Sequence, residues 1–169
     1  MSERKFCQIS FWLKLCCAIL LFIAAVWLCV YASVYLPQKI GAQASGAGAF
    51  VAIFGTGIAI AVAISVTFLI SAGSIVLSLS AVIFAVKEYK YSPLNINGEN
   101  NNKRYLGFRI ASDALLALSA VVLLSLAISF GPAALLSLFS SILSIVLIIA
   151  AEIMQEINLR RNRNKNKDE

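Results

Sequence analysis

The sequence predicts an all-α integral membrane protein, a four-helix transmembrane bundle with both termini in the cytosol. Composition is the first observation: 60% of the 169 residues are hydrophobic, and the mean hydropathy is +0.88. The second is a set of four apolar stretches, each longer than the ~18 residues that indicate a membrane span. The third is the placement of basic residues between those stretches. We therefore predict a transmembrane domain over residues 1–157 and a polar cytosolic tail over residues 158–169.

The first predicted span covers residues 15–36, and Pro37 is expected to end its helix. Tyr31 and Tyr35 are placed like an interfacial aromatic belt at its far end. The alternative is a cleaved signal peptide, because Val30-Tyr31-Ala32 is similar to a small-residue cleavage site. The apolar run continues past that site, which favours a retained span.

The second span, residues 54–86, is the longest apolar run and is expected to be the central helix. At 1.5 Å per residue it would extend about 50 Å, against a hydrocarbon core of about 30 Å. Tilt, an extension beyond the bilayer or a break at residues 71–74 could absorb the excess, and we expect one long or kinked helix. Small residues at four-residue spacing let helices approach closely in lipid. They predict a helix-packing face made of Gly55, Ala59, Ala63, Gly57, Ala61 and Ser65.

The third and fourth spans are predicted at residues 107–130 and 133–157, joined by a tight turn at Gly131-Pro132. Residues 87–105 form the main polar loop, and residues 158–169 are expected to lack regular structure. The N-terminal segment, this loop and the tail are rich in Lys and Arg. The positive-inside rule therefore places all three in the cytosol. The net charge of +6 is explained by topology, so no nucleic-acid partner is expected.

Four charged residues fall inside the last two spans; Glu156 lies nearer the water, and the deeper three are Arg109, Asp113 and Glu152. Arg109 and Asp113 are four residues apart and share a helix face, and Glu152 should reach a similar depth on the antiparallel helix. Charges inside spans are costly and usually face the bundle interior. One interpretation is a coupling-ion or proton site of a transport pathway. The other is a structural Arg-Asp pair with carboxylates that reach the headgroup region.

Near the C-terminus, Lys165 and Lys167 stand fifth and third from the end, as in the K-x-K-x-x retrieval signal that the COPI coat reads. A solvated charged tail is the alternative. Three cysteines lie at the cytosolic edge of the first span, where reversible palmitoylation occurs, although incidental cysteines are common in apolar helices. They are Cys7, Cys16 and Cys17.

Catalytic signatures are missing from the sequence. It has no histidine, and it carries no phosphate-binding loop or metal-ligand spacing. We therefore expect no enzymatic activity and no cofactor.

Residues 105–150 carry a family resemblance. Tyr105-Leu-Gly-Phe108, followed by the Leu123 to Gly131 run LLSLAISFG, resembles the second hairpin of small four-span Golgi-vesicle membrane proteins of the COPI-associated type. The resemblance implies a non-enzymatic protein of the Golgi and vesicle system, and it carries over no functional residues.

The predicted function is a structural, membrane-organising or vesicle-trafficking component of the early secretory pathway. The alternative is a small transporter or channel subunit that uses Arg109, Asp113 and Glu152. Expected partners are the lipid bilayer, other membrane proteins or a second copy of the chain, and the COPI coat. ER and Golgi membranes are favoured over the plasma membrane or another endomembrane.

Overall fold

A computed structural model of the chain describes residues 3–43, 49–92 and 99–165 and shows four long α-helices. Each contains a stretch long and apolar enough to cross a membrane. The all-α class and the number of membrane-length helices are thus confirmed. The helices are α1 (Glu3–Gln43), α2 (Ala49–Lys90), α3 (Glu99–Phe130) and α4 (Leu135–Lys165), with a short 3₁₀ turn (Gly131–Ala134) between α3 and α4.

The helices pack as a four-membered ring in which α1 contacts α2 and α4, and α3 contacts the same two helices. Sequential helices are antiparallel. At one end Ser10 of α1 meets Gln155 of α4, and at the other Tyr31 of α1 packs against Phe130 of α3. We call the first of these the charged end. It gathers the start of α1, the end of α2, the start of α3 and the end of α4. The three basic regions of the sequence therefore lie together.

The interior of the bundle is built mainly from small side chains. Leucines fill the remaining space, and buried serines continue the same pattern on α2, α3 and α4. Small residues let the helix backbones approach closely, which favours packing where the solvent is itself apolar. Fully buried examples are Ala24, Ala25, Ala32, Ala120, Ala127, Ala134 and Ala151.

Helix α2 runs without interruption through residues 71–74, so the prediction of one long central helix is confirmed. Serine and alanine sustain a helix, and the single glycine of that stretch, Gly73, is exposed within it. Gly131 is different: its φ of +71° is the left-handed conformation that glycine adopts at low cost. It makes the predicted tight turn before Pro132.

Several helix ends differ from the predictions. Helix α1 continues through Pro37 to Gln43, so the prediction that Pro37 ends the helix is wrong. Proline removes one backbone hydrogen bond, but an apolar setting penalises every other unpaired backbone group and so favours a continuous helix.

The predicted polar loop is shorter than residues 87–105, because α2 extends to Lys90 and α3 already begins at Glu99. The predicted tail is helical as far as Lys165. Arg160 pairs with Glu156 one turn earlier at 3.1 Å, and basic side chains near a helix C-terminus interact favourably with its dipole. Residues 166–169 lie outside the described part.

Candidate functional site

A cluster of five charged side chains lies at the charged end and draws on all four helices. We call it the ionic cluster. Its members are Lys14 (α1), Glu88 (α2), Arg109 and Asp113 (α3), and Glu152 (α4).

Lys14 is the centre of the cluster. Among the described residues, Lys14 is the largest whose side chain is fully buried, and only 1% of that side chain is exposed. Its Nζ lies 2.7 Å from Glu88 Oε2 and 2.9 Å from Asp113 Oδ1. A buried ammonium group is tolerated only when it is paired, so these two carboxylates explain how the lysine is held in the interior.

Glu88 is held by more than the lysine. Gln155 of α4 donates from Nε2 to Glu88 Oε1 at 2.6 Å, and the same nitrogen lies 2.6 Å from the Ser10 hydroxyl of α1. Glu88, Gln155 and Ser10 are all buried. The amide thereby joins α1, α2 and α4 around one carboxylate, and it bridges α2 and α4 across the ring.

Arg109 forms a two-point ion pair with Glu152. Its Nε donates to Glu152 Oε1 at 3.2 Å, and its terminal nitrogen contacts Glu152 Oε2. The planar guanidinium matches a carboxylate in this way, which makes the pair both strong and directional. The predicted Arg-Asp pair within α3 is therefore wrong, because Arg109 instead reaches across to α4.

Asp113 is the least satisfied member of the cluster. Its Oδ1 lies within salt-bridge distance of Lys14 Nζ. Both carboxylate oxygens are nevertheless buried, and neither accepts a hydrogen bond of acceptable geometry from a described residue. The structure thus places the three predicted residues in one cluster, where Arg109 pairs with Glu152 and Asp113 faces Lys14.

The sequence reasoning did not assign Lys14, Glu88, Gln155 and Ser10 to this site. Lys14 and Glu88 lie at the margins of apolar runs, where charged residues usually mark the membrane boundary. One available signal was the spacing of Ser10, Lys14, Cys17 and Leu21, which places them on one helical face that turns out to be buried.

Serines tie α2 to α3 nearer the middle of the bundle. The Ser119 hydroxyl of α3 lies 3.1 Å from the carbonyl oxygen of Ser74 and 3.1 Å from the Ser78 hydroxyl, both of α2. The Ser78 hydroxyl lies 2.9 Å from the same Ser74 carbonyl. These contacts are short-range helix-to-helix bonds of the kind that stabilise membrane bundles.

The predicted helix-packing face lies on the outside of the bundle where the structure describes it. Ala63 is half-buried, and Gly55 lies outside the residues whose burial the structure describes. A methyl group added at Gly57 would meet no atom within 4 Å. The exposed members are Gly57, Ala59, Ala61 and Ser65.

The cysteines and the tail lysines occupy different settings. Cys17 is buried and donates to the carbonyl oxygen of Ser144 at 3.6 Å, Cys7 is half-buried beside Ser92, and Cys16 is exposed. Of the three candidates for palmitoylation, Cys16 therefore has the most accessible thiol. Lys165 is the last residue of α4, and Lys167 lies outside the described residues.

Within the described residues, no group of three or more Cys, Asp or Glu side chains is placed to hold a metal ion. The chain matches no family model, and comparisons with curated proteins and with solved structures give no match.

Proposed function

We propose that this chain is a non-enzymatic four-span membrane protein that acts as a structural or membrane-organising component of the early secretory pathway. The observation that carries this proposal is the internal pairing of the ionic cluster. Lys14 is divided between two carboxylates and Arg109 is occupied by Glu152, so the charges bind the helices to one another. A buried, hydrogen-bonded ion network of this kind fixes the relative positions of helices.

The topology follows from the gathering of basic segments at the charged end. By the positive-inside rule we place that end, and with it both termini, in the cytosol. The ionic cluster then lies at the cytosolic edge of the hydrocarbon core, where charged side chains cost less than at its centre.

Placement in the early secretory pathway is supported by the resemblance of residues 105–150 to Golgi-vesicle proteins and by Lys165 and Lys167. A helical tail that leads to Lys165 would carry the last residues away from the membrane, towards the COPI coat. The exposed small residues of α2 offer a surface for other membrane proteins or for a second copy of the chain.

The experiment is localisation in a eukaryotic cell, with an internal tag in the loop that follows Lys90 so that the C-terminus stays free. The comparison is between the wild type and a variant with Lys165→Ser and Lys167→Ser, and Lys103→Ser is a matched control that also removes an exposed lysine. We expect the wild type and the control in ER and Golgi membranes and the double variant in later compartments. Identical localisation of all three proteins would contradict the proposal that Lys165 and Lys167 form a retrieval signal.

Transport is the second candidate function, and one observation favours it: the ionic cluster contains three carboxylates and two cations. An unbalanced intramembrane carboxylate is a common feature of proton and ion pathways. Asp113→Asn should abolish flux in reconstituted vesicles if the protein transports ions, whereas the structural role predicts no flux in either protein.

A further inference from the structure

The charge balance of the ionic cluster is uneven. Two cations, Lys14 and Arg109, face three carboxylates, so the cluster would carry one net negative charge if every group were ionised. The excess is buried: the exposed side-chain fractions are 1% for Lys14, 6% for Glu88 and 13% for Asp113. An uncompensated charge in a low-dielectric interior is costly, and the simplest relief is the uptake of a proton.

The hydrogen bonds that each carboxylate accepts indicate which carboxylate takes up the proton. Glu88 accepts hydrogen bonds from Lys14 and Gln155, so each of its two carboxylate oxygens has a donor. Glu152 is held at two points by Arg109. Asp113 is buried, and neither of its carboxylate oxygens has a hydrogen bond among the described residues. A buried carboxylate without hydrogen bonds is the member of the cluster that is most costly to keep ionised. The Gln155 Oε1 atom is a further buried acceptor that has no donor among the described residues.

We propose that the Asp113 carboxyl group is the binding site for this one proton. Glu152 remains the anionic partner of Arg109, and Lys14 remains the partner of Glu88. The cluster then contains two cations and two anions and is neutral. The Asp113 side chain itself is 13% exposed, which gives the proton access to water at the charged end.

The charged groups near Asp113 are already paired with other groups. Lys14 of α1 contacts Asp113 at 2.9 Å and is shared with Glu88 of α2. Arg109, one turn earlier on α3, is occupied by Glu152 of α4. Cys17 of α1 also lies near Asp113 and is a thiol, so none of these groups supplies a further positive charge.

Thermal unfolding of the full chain in lipid nanodiscs between about pH 6 and about pH 8.5 tests the site, because a proton bound in the folded state links stability to pH. If the folded protein holds a proton that the unfolded chain releases, the wild-type Tm falls as pH rises. Asp113→Asn replaces the carboxyl group with a neutral amide of the same shape. It should give a Tm that is independent of pH in this range and above the wild-type value at the alkaline end.

Glu156→Gln is the matched control. It removes an exposed carboxylate one turn further along α4, where Glu156 pairs with Arg160, so it should leave the pH profile of the wild type unchanged. A Tm of Asp113→Asn that lies below the wild type by the same amount at every pH would overturn the proposal. That result would show that Asp113 acts as an ionised partner of Lys14.

Infrared spectroscopy of the wild type gives a second readout that does not depend on whether a variant folds. A protonated carboxyl group has a carbonyl stretch that an ionised one lacks. The sequence contains two aspartates, Asp113 and the C-terminal Asp168, so ¹³C labelling of aspartate separates this band from those of glutamate. We expect a labelled carbonyl band at neutral pH that disappears on alkalinisation. Its absence at neutral pH would also overturn the proposal.

Discussion

Lys14 shows how one residue can determine the arrangement of a membrane bundle. Its side chain is as deeply buried as the alanines and leucines around it, and it faces carboxylates from two other helices. From the sequence alone it is the last basic residue before an apolar run, which is also the description of an ordinary boundary lysine. Its role depends on which way α1 faces, and hydropathy does not contain that information.

The first prediction concerns this lysine. Lys14→Met removes the cation but keeps a side chain of similar length, and it leaves Glu88 and Asp113 buried together. We expect a loss of about 3–5 kcal/mol in the free energy of unfolding, the range measured when one partner of a buried ion pair is removed. Thermal unfolding of the purified protein in detergent provides the measurement.

Lys5→Met is the control, because Lys5 is an exposed lysine of the same helix. It should change stability by no more than about 0.5 kcal/mol. Equal effects of the two substitutions would show that Lys14 is not a buried structural cation.

At the scale of helices, the number and order of elements could be predicted from apolar runs, because a membrane-length helix needs about 20 apolar residues and little else. The ends could not. Pro37, the residues after Val86 and the residues after Ile157 all suggested termination, yet each lies inside a helix. Residues that end helices in soluble proteins do so less readily in a membrane, because an unpaired backbone group there has no water to bond with.

The second prediction compares two glycines. A methyl group added at Gly73 or at Gly131 would meet no atom within 4 Å, so the two sites differ in backbone conformation and not in space. Gly73→Ala should leave stability unchanged or raise it by up to about 1 kcal/mol, because alanine favours a helix. Gly131→Ala should cost roughly 1–2 kcal/mol, because φ at this position is +71°.

Parallel unfolding curves of the two variants provide the measurement. A larger loss at Gly73 than at Gly131 would indicate that α2 is broken at residues 71–74, which is one of the alternatives that the sequence left open.

At the scale of the whole molecule, the sequence could place Arg109, Asp113 and Glu152 at one depth, because antiparallel spans of similar length bring their ends into register. The pairing could not be predicted. The arginine pairs between helices, and Asp113 turns to a lysine from a third helix. Which carboxylate meets which cation depends on helix rotation, and the uniformly apolar helices of this chain give little periodicity from which to infer rotation.

The ionic cluster is the structure that holds the four helices together. Its most direct test exchanges the two charges of one pair, with Arg109→Glu alone, Glu152→Arg alone and both together. Each single change places two like charges face to face and should destabilise the protein by several kcal/mol. The double change restores opposite charges and should recover most of that loss.

The measurement is the Tm of the three variants and the wild type, purified in the same detergent. Recovery in the double variant would establish that α3 and α4 are joined through this pair. A double variant as unstable as the sum of the two single variants would show that Arg109 and Glu152 do not interact, and the ionic cluster would then lose its role in the bundle.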